Sequence, residues 1–119
     1  SIAILALVLT LGQVVADIGA GSGYSTERMA RAVGPTGMVF ATDIQPGMIE
    51  RLRANIAKAG VKNIEPVQSS ESSTGLADGS IDLMILVERF APNVGVMATA
   101  RVGGQAIRTA AFRRQKVSA

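Results

Sequence analysis

Four short apolar segments alternate with two helix-like segments along residues 13–87. Each apolar segment has the length and the apolar content of one buried strand. The four predicted strands are residues 13–18, 38–43, 64–68 and 81–87. Residues 24–33, and the segment that begins at Pro46 and stops at Gly60, carry apolar residues at helical spacing and are predicted as helices.

This alternation determines the predicted fold class. Strands that alternate with helices favour a parallel sheet joined by right-handed crossovers. The strands are apolar throughout rather than at every second position, so both faces of the sheet are expected to be covered. The sequence therefore predicts an α/β fold, a three-layer sandwich with a mainly parallel sheet.

The pattern weakens after Phe90. Residues 97–111 carry scattered apolar residues interrupted by Gly103-Gly104, and we predict a helix there but no further strand. The fold is thus expected to be truncated after the fourth strand, which leaves the apolar edge of that strand open. Open apolar edges pair with other chains, so two alternatives stand: a truncated or altered domain, or a subunit that completes itself as a homo-oligomer through this edge.

An apolar run opens the chain at residues 2–11. It is shorter than the roughly 20 residues that cross a bilayer. It also lacks the preceding basic residues and the cleavage site of a signal peptide. We interpret residues 1–12 as an apolar N-terminal segment of the core, expect no membrane span, and take the cytoplasm as the default location.

The amino-acid composition excludes several kinds of catalytic and structural site. The 119 residues are 48% apolar and 18% charged, as expected of one folded domain over residues 1–119. The chain has no cysteine and no histidine. A zinc site of cysteine and histidine, a disulfide, a thiolate nucleophile and a serine–histidine pair are therefore excluded, and no metal site is predicted.

The net charge of +3 is unevenly distributed. Residues 1–93 carry seven basic and nine acidic side chains, whereas residues 94–119 carry five basic and no acidic ones. We interpret residues 94–119 as a basic tail of uncertain order. Aromatic residues do not interleave with its charges, so nucleic-acid binding is not supported beyond the charge itself.

A glycine-rich segment follows the first predicted strand. Gly19, Gly21 and Gly23 come between that strand and the first helix, where glycine lets the backbone turn sharply and approach a ligand. Asp43 follows twenty residues after Gly23, at the carboxyl end of the second predicted strand. A carboxylate there is suited to accept hydrogen bonds from ribose hydroxyls. The pair indicates a ligand that contains an adenosine ribose.

The spacing separates two classes of cofactor. The dinucleotide pattern requires its third glycine at position 24, where this chain has Tyr24. Asp17, directly before the glycines, would repel a pyrophosphate but can engage a cationic amino group. These features favour S-adenosylmethionine over NAD, and a P-loop is excluded because no Gly-Lys-Ser/Thr follows.

Three segments of the chain resemble motifs of the class I S-adenosylmethionine-dependent methyltransferases. They are Asp17-Ile18-Gly19-Ala20-Gly21-Ser22-Gly23, Phe40-Ala41-Thr42-Asp43-Ile44-Gln45-Pro46 and Gly79-Ser80-Ile81-Asp82-Leu83-Met84. The resemblance covers about residues 12–90 and implies a Rossmann-like fold. It implies that the glycines surround the methionine part of the cofactor, that Asp17 reaches its amino group, and that Asp43 holds the ribose. It also implies that Ile44 lies on the adenine and that Ser70 or Glu71 meets the adenine amino group. The implied cofactor-binding residues are Asp17, Gly19, Ala20, Gly21, Gly23, Asp43, Ile44, Ser70 and Glu71.

Each of these assignments has an alternative. The glycines could form only a tight turn, Ile44 could belong to the core, and Glu71 could be a solvated side chain. Tyr24 could line the methyl-transfer channel, cap the helix or be half-buried.

The catalytic residue is less defined. Glu88, near the end of the fourth predicted strand, is the carboxylate placed to act as a base, with a surface role beside Arg89 as the alternative. Residues 87–93 do not match the Asn-Pro-Pro-Tyr signature of enzymes that methylate amide or base nitrogens. The leading hypothesis is methyl transfer from S-adenosylmethionine to a small-molecule acceptor. The alternatives are a non-catalytic S-adenosylmethionine-binding module and, less favoured, an NAD-dependent oxidoreductase.

Overall fold

The computed structural model describes residues 9–77, 79–91, 95–102 and 105–112, with side chains as far as residue 85. Two helices and six strands lie in these residues. In chain order they are β1 (Val14–Ile18), α1 (Tyr24–Val33), β2 (Met38–Asp43), α2 (Pro46–Ala59), β3 (Ile64–Gln68), β4 (Leu83–Ala91), β5 (Gly95–Val102) and β6 (Gln105–Phe112).

All six strands form one sheet in the order β3-β2-β1-β4-β5-β6. Strands β1 to β4 are mutually parallel, and β5 and β6 continue the sheet as an antiparallel hairpin beside β4. The order of β1, β2 and β3, with one helix in each connection, is that of two successive right-handed crossovers. The predicted α/β class, with a mainly parallel Rossmann-like sheet, is confirmed.

The register brings the carboxyl ends of three strands to one edge of the sheet. Ile18 of β1 lies beside Thr42 of β2, and Asp43 lies beside Gln68 of β3. The chain segments that leave these strands, starting at Gly19, Ile44 and Ser69, therefore begin side by side. In open α/β sheets this edge is where ligands bind.

The core lies between one face of the sheet and the two helices. Val15, Val39 and Ile85 point from the sheet into a cluster that includes Met29 and Leu52 of the helices, and all five are almost fully buried. On the opposite face of β1 and β2, Ala16 and Thr42 have no exposed surface. Both faces of the central strands are therefore covered, as the uninterrupted apolar pattern predicted.

The helix boundaries match the local sequence signals. Pro46 occupies the first turn of α2, where its missing N–H costs no hydrogen bond. Gly60 ends α2 in the left-handed conformation with φ 69°, and its N–H donates to Ala57 O at 3.2 Å. At the end of α1 the N–H of Gly34 donates to Ala30 O at 3.1 Å.

The predicted helix after β4, and the predicted absence of further strands there, were wrong. Residues 95–112 form β5 and β6 instead of a helix within a basic tail, and β5 pairs with the β4 edge that was expected to be open. Val102 and Gln105 pair across Gly103-Gly104, a dipeptide typical of two-residue hairpins. An open β4 edge therefore no longer supports the predicted homo-oligomer. Residues 113–119 of the predicted tail lie outside the described residues.

The predicted N-terminal core element falls mostly on residues 1–8, outside the described residues. Leu9 is buried, whereas Leu11 is 78% exposed. Among the helices that the structure describes, none has the length and apolar character to span a bilayer.

Candidate functional site

The glycine loop, residues 19–23, connects β1 to α1 at the carboxyl edge of the sheet. Gly19, Gly21 and Gly23 all have positive φ, at 69°, 60° and 94°. A Cβ on Gly23 would lie 2.6 Å from Leu52 Cδ1, so a side chain there would require the buried Leu52 side chain to shift. A Cβ on Gly19 would meet nothing within 4 Å. The loop therefore packs against α2 at Gly23 and faces open space at Gly19.

Three hydrogen bonds fix this loop from neighbouring elements. The N–H of Ala20 donates to Thr42 O at 2.8 Å, and the N–H of Gly21 donates to Asp43 Oδ2 at 3.0 Å. Asn55 of α2 donates through Nδ2 to Ser22 O at 2.8 Å. Sequence reasoning missed Asn55, although asparagine inside a helix is unfavourable and is itself a signal of a side-chain role.

Asp43 joins the two segments that leave β1 and β2. Its Oδ2 accepts from Gly21 N, and its Oδ1 accepts from Gln45 N at 3.0 Å. An ionised carboxylate has about four acceptor positions, so each oxygen retains capacity for a further donor. The side chain is only partly buried. Asp43 thus orders the glycine loop and still offers acceptors to a pair of hydroxyls.

Asp17 is the second-last residue of β1, two positions before Gly19, and is 2% exposed. The hydroxyl of Thr26, in the first turn of α1, donates to its Oδ2 at 2.6 Å. Burial raises the pKa of the Asp17 carboxyl to about 6, against a smaller lowering by the Thr26 hydrogen bond. At pH 7 the group is mainly ionised and is poorly solvated, which favours a cationic partner. Sequence reasoning missed Thr26, the side chain that orients this carboxylate.

Two large apolar side chains are exposed near the glycine loop. Ile44 directly follows Asp43 and is 53% exposed, which excludes its assignment to the core. Tyr24 is 64% exposed, and the Arg28 guanidinium lies 3.6 Å from its ring centroid. Tyr24 is neither half-buried nor the cap of α1, because Gly23 occupies that position without a side-chain cap. Ile44 therefore provides an accessible apolar surface beside Asp43.

The serine-rich segment begins next to Asp43. The N–H of Ser69 donates to Asp43 O at 2.9 Å, which places the start of the segment at the site. Ser70 closes a local turn, since its Oγ accepts from Ser73 N at 3.1 Å. Glu71 is exposed. The structure thus brings Ser70 close to the candidate site through the backbone, and the adenine contacts of Ser70 and Glu71 remain predictions.

Glu88 lies on β4, where its backbone pairs with Met97 of β5. Leu86 pairs with Ile18, the last residue of β1, so Glu88 is two positions beyond the carboxyl end of β1. Its side chain is outside the described part of the structure. β4 continues beyond Glu88 to Ala91, so Glu88 lies within the strand and not at its end as predicted, and its catalytic role stays a prediction.

Comparison with known proteins gives consistent matches. A family described as a methyltransferase domain matches residues 15–103. An arsenite methyltransferase of Halobacterium salinarum is 35% identical over 74 residues, which are 62% of this chain and 19% of that protein. A protein-L-isoaspartate O-methyltransferase of Aeropyrum pernix is 36% identical over 81 residues, 68% of this chain and 31% of that protein.

Among solved structures, a SAM-dependent methyltransferase from Aquifex aeolicus matches with a TM-score of 0.64 and 32% identity. The match covers 66% of this chain and 42% of that chain. The chain therefore spans less than half the length of these relatives. The matched region contains the glycine loop, Asp43 and the four parallel strands.

Proposed function

The chain belongs to the methyltransferase-domain family that matches residues 15–103, and we propose from this premise that it binds S-adenosylmethionine at the carboxyl edge of β1, β2 and β3. The family and its S-adenosylmethionine cofactor are those predicted from the sequence. We further propose that residues 1–119 form a single domain. This domain would transfer the methyl group to a small-molecule acceptor.

The observation that carries the proposal is the position of Asp43. Its carboxylate accepts hydrogen bonds from Gly21 N and Gln45 N, so it is oriented before any ligand arrives. A pre-oriented acceptor loses little conformational freedom when it binds two vicinal hydroxyls. Asp43 would hold the ribose, and the same hydrogen bonds couple ribose binding to the shape of the glycine loop.

The methionine part would lie against the glycine loop. The open space at the Cβ position of Gly19 gives room for a ligand to approach the backbone closely. Asp17, buried and fixed by Thr26, is suited to hold the cationic amino group directly or through water. An amino group bound there would replace the hydration that burial removes from the carboxylate.

The adenine would lie on the exposed side chain of Ile44, which follows the ribose-binding Asp43 directly. Ser70 and Glu71, on the segment that starts beside Asp43, would meet its amino group. Burial of the exposed Ile44 surface under a flat ring is favourable by the ordinary hydrophobic contribution.

When bound, the cofactor supplies an activated methyl group on a sulfonium. The protein's contribution is to hold cofactor and acceptor in line and to exclude water, which requires no histidine. Glu88, placed beyond the end of β1, would accept a proton from an acceptor with a high pKa. The relative named for arsenite supports a small-molecule acceptor. The cytoplasmic location stays a prediction.

Calorimetric titration with S-adenosylhomocysteine, and separately with NAD, tests the cofactor assignment. We expect micromolar binding of S-adenosylhomocysteine and none of NAD. Tight NAD binding would revive the oxidoreductase hypothesis. If the folded chain bound neither ligand, the glycine loop would be a tight turn with no role in cofactor binding.

A second assay separates methyl transfer from binding alone. The chain is incubated with methyl-labelled S-adenosylmethionine and candidate acceptors, including arsenite, and product is followed by release of S-adenosylhomocysteine. Turnover supports the enzyme. Binding of the cofactor without turnover across the acceptors would favour the non-catalytic module.

A further inference from the structure

A second concave surface lies at the amino ends of β2 and β3, at the opposite end of the parallel strands from the glycine loop. Its volume is about 530 Å³, within the range of small-molecule sites, roughly 300–1,000 Å³. We call it the amino-end groove. Its walls include Ala30, Arg31, Pro35, Met38, Val61 and Lys62.

The lining of the groove is largely apolar. Met38 and Val61 are only partly buried, and Pro35 is exposed. Leu11, 78% exposed, adjoins the groove at Gly34, because a Cβ on Gly34 would lie 2.9 Å from Leu11 Cδ2.

The charged side chains of the groove have one sign. Arg31 and Lys62 are both exposed, and the lining residues include no carboxylate in the part of the chain that the structure describes. Two cations on an apolar surface attract an anion that also has an apolar body.

Hydrogen bonds at the carboxyl end of α1 reduce the repulsion between its carbonyl groups and an anion in the groove. The last carbonyls of a helix carry partial negative charge when they lack donors. Asn63 donates through Nδ2 to Ala30 O and to Gly34 O, each at 2.9 Å. The N–H of Gly12 donates to Val33 O at 2.8 Å. These donors satisfy Ala30 O, Val33 O and Gly34 O and so reduce the partial negative charge beside Arg31 and Lys62.

We propose that the amino-end groove binds a small amphiphilic anion. Its apolar body packs against Met38 and Val61, and its carboxylate or phosphate pairs with Arg31 and Lys62. This site is separate from the cofactor site, because it lies at the other end of the same strands.

The test uses octanoate as the probe and the full chain labelled with ¹⁵N. Amide shifts are followed by NMR during titration with octanoate and with octan-1-ol as the neutral control. We expect octanoate to shift the amides of Gly34, Gly37 and Asn63, and to bind several-fold more tightly than octan-1-ol. Saturation with S-adenosylhomocysteine should leave the octanoate affinity unchanged.

Charge variants provide the matched comparison. Arg31→Gln and Lys62→Gln should each weaken octanoate binding about three- to fivefold, as expected for exposed ion pairs. Arg53→Gln, which removes an exposed arginine of α2 outside the groove, should leave it unchanged. Circular dichroism confirms that each variant is folded.

Three results would overturn the proposal. The first is equal octanoate affinity in Arg31→Gln, Lys62→Gln and Arg53→Gln. The second is the absence of localised shifts up to about 10 mM octanoate, the concentration range of very weak binding. The third is competition with S-adenosylhomocysteine, which would place octanoate in the cofactor site.

Discussion

The candidate cofactor site and the amino-end groove present side chains of opposite charge at the two ends of the parallel strands. At the carboxyl end, Asp17 and Asp43 are held by hydrogen bonds from a helix and from loop N–H groups. At the amino end, Arg31 and Lys62 stand exposed beside helix carbonyls that Asn63 has already satisfied. Hydrogen bonds fix the carboxylates proposed to hold the cofactor, whereas the two exposed cations proposed to hold an anion have no comparable restraint among the described contacts.

The largest expected effect is at Gly23. Gly23→Val places a side chain against Leu52 Cδ1, with the Cβ at 2.6 Å, and forces a β-branched residue to φ 94°. We expect a loss of about 3 kcal/mol in the free energy of unfolding, from overpacking and backbone strain together. Chemical denaturation measures it.

Gly47→Ala is the matched control for Gly23→Val. Gly47 lies in α2 with an unstrained backbone, and a Cβ there would meet nothing within 4 Å. Alanine should stabilise the helix by up to about 1 kcal/mol. Equal effects of the two substitutions would show that the packing of Gly23 against α2 does not matter.

The raised pKa of Asp17 predicts that the free energy of unfolding depends on pH. Its pKa is raised to about 6 in the folded chain, above the ordinary 3.8. The folded state therefore binds the proton more tightly, and the contribution of Asp17 to stability is lost as pH rises from about 4 to 6. The loss is on the order of 3 kcal/mol. The difference in unfolding free energy between the wild type and Asp17→Asn should follow this course.

The matched control for Asp17 is Glu50→Gln, an exposed carboxylate of α2. A larger pH-dependent difference for Asp17→Asn than for Glu50→Gln would assign the pH dependence to the buried carboxyl of Asp17. Binding of S-adenosylhomocysteine should strengthen as pH rises through 6, because ionised Asp17 is the form that pairs with an amino group. Affinity independent of pH in this range would remove Asp17 from the amino-group site.

Substitution of two asparagines, one near each end of the parallel strands, should have smaller effects on stability and should separate the two ends by their effects on ligand binding. Asn55→Ala removes the hydrogen bond to Ser22 O in the glycine loop, and Asn63→Ala removes the hydrogen bonds to the end of α1. Each should lower stability by about 1 kcal/mol. Only Asn55→Ala should also weaken S-adenosylhomocysteine binding, by a few-fold, in calorimetric titration. Equal binding losses would mean that the two ends are not independent.

The sequence was sufficient to predict the parallel half of the fold, whereas the cofactor-binding roles of the glycines and Asp43 stay predictions. Strands with continuous apolar character, Pro46 at a helix start and Gly60 at a helix end are local signals, and the structure follows them. The glycines and Asp43 were predicted from a spacing that has a direct physical cause. The exposure of Ile44 could not be predicted, because an isoleucine after a strand fits either a core or a surface.

The remaining features depend on contacts between distant parts of the chain. Thr26 and Asn55 act through single hydrogen bonds to Asp17 and Ser22, which no local pattern encodes. Strands β5 and β6 were missed because their small and polar residues have weak periodicity, although Gly103-Gly104 was an available hairpin signal. The amino-end groove arises from two segments separated in sequence, residues 30–38 and 61–63.

The most direct test of the cofactor site is calorimetric titration of Asp43→Ala with S-adenosylhomocysteine, beside the wild type and Glu50→Ala. Glu50→Ala removes an exposed carboxylate from α2 and should bind like the wild type. Loss of the charged acceptor should cost Asp43→Ala about 1.5–3 kcal/mol, a rise of at least tenfold in Kd. Circular dichroism must show that both variants are folded. A folded Asp43→Ala that binds S-adenosylhomocysteine as tightly as Glu50→Ala does would contradict the assignment of the carboxyl edge as the cofactor site.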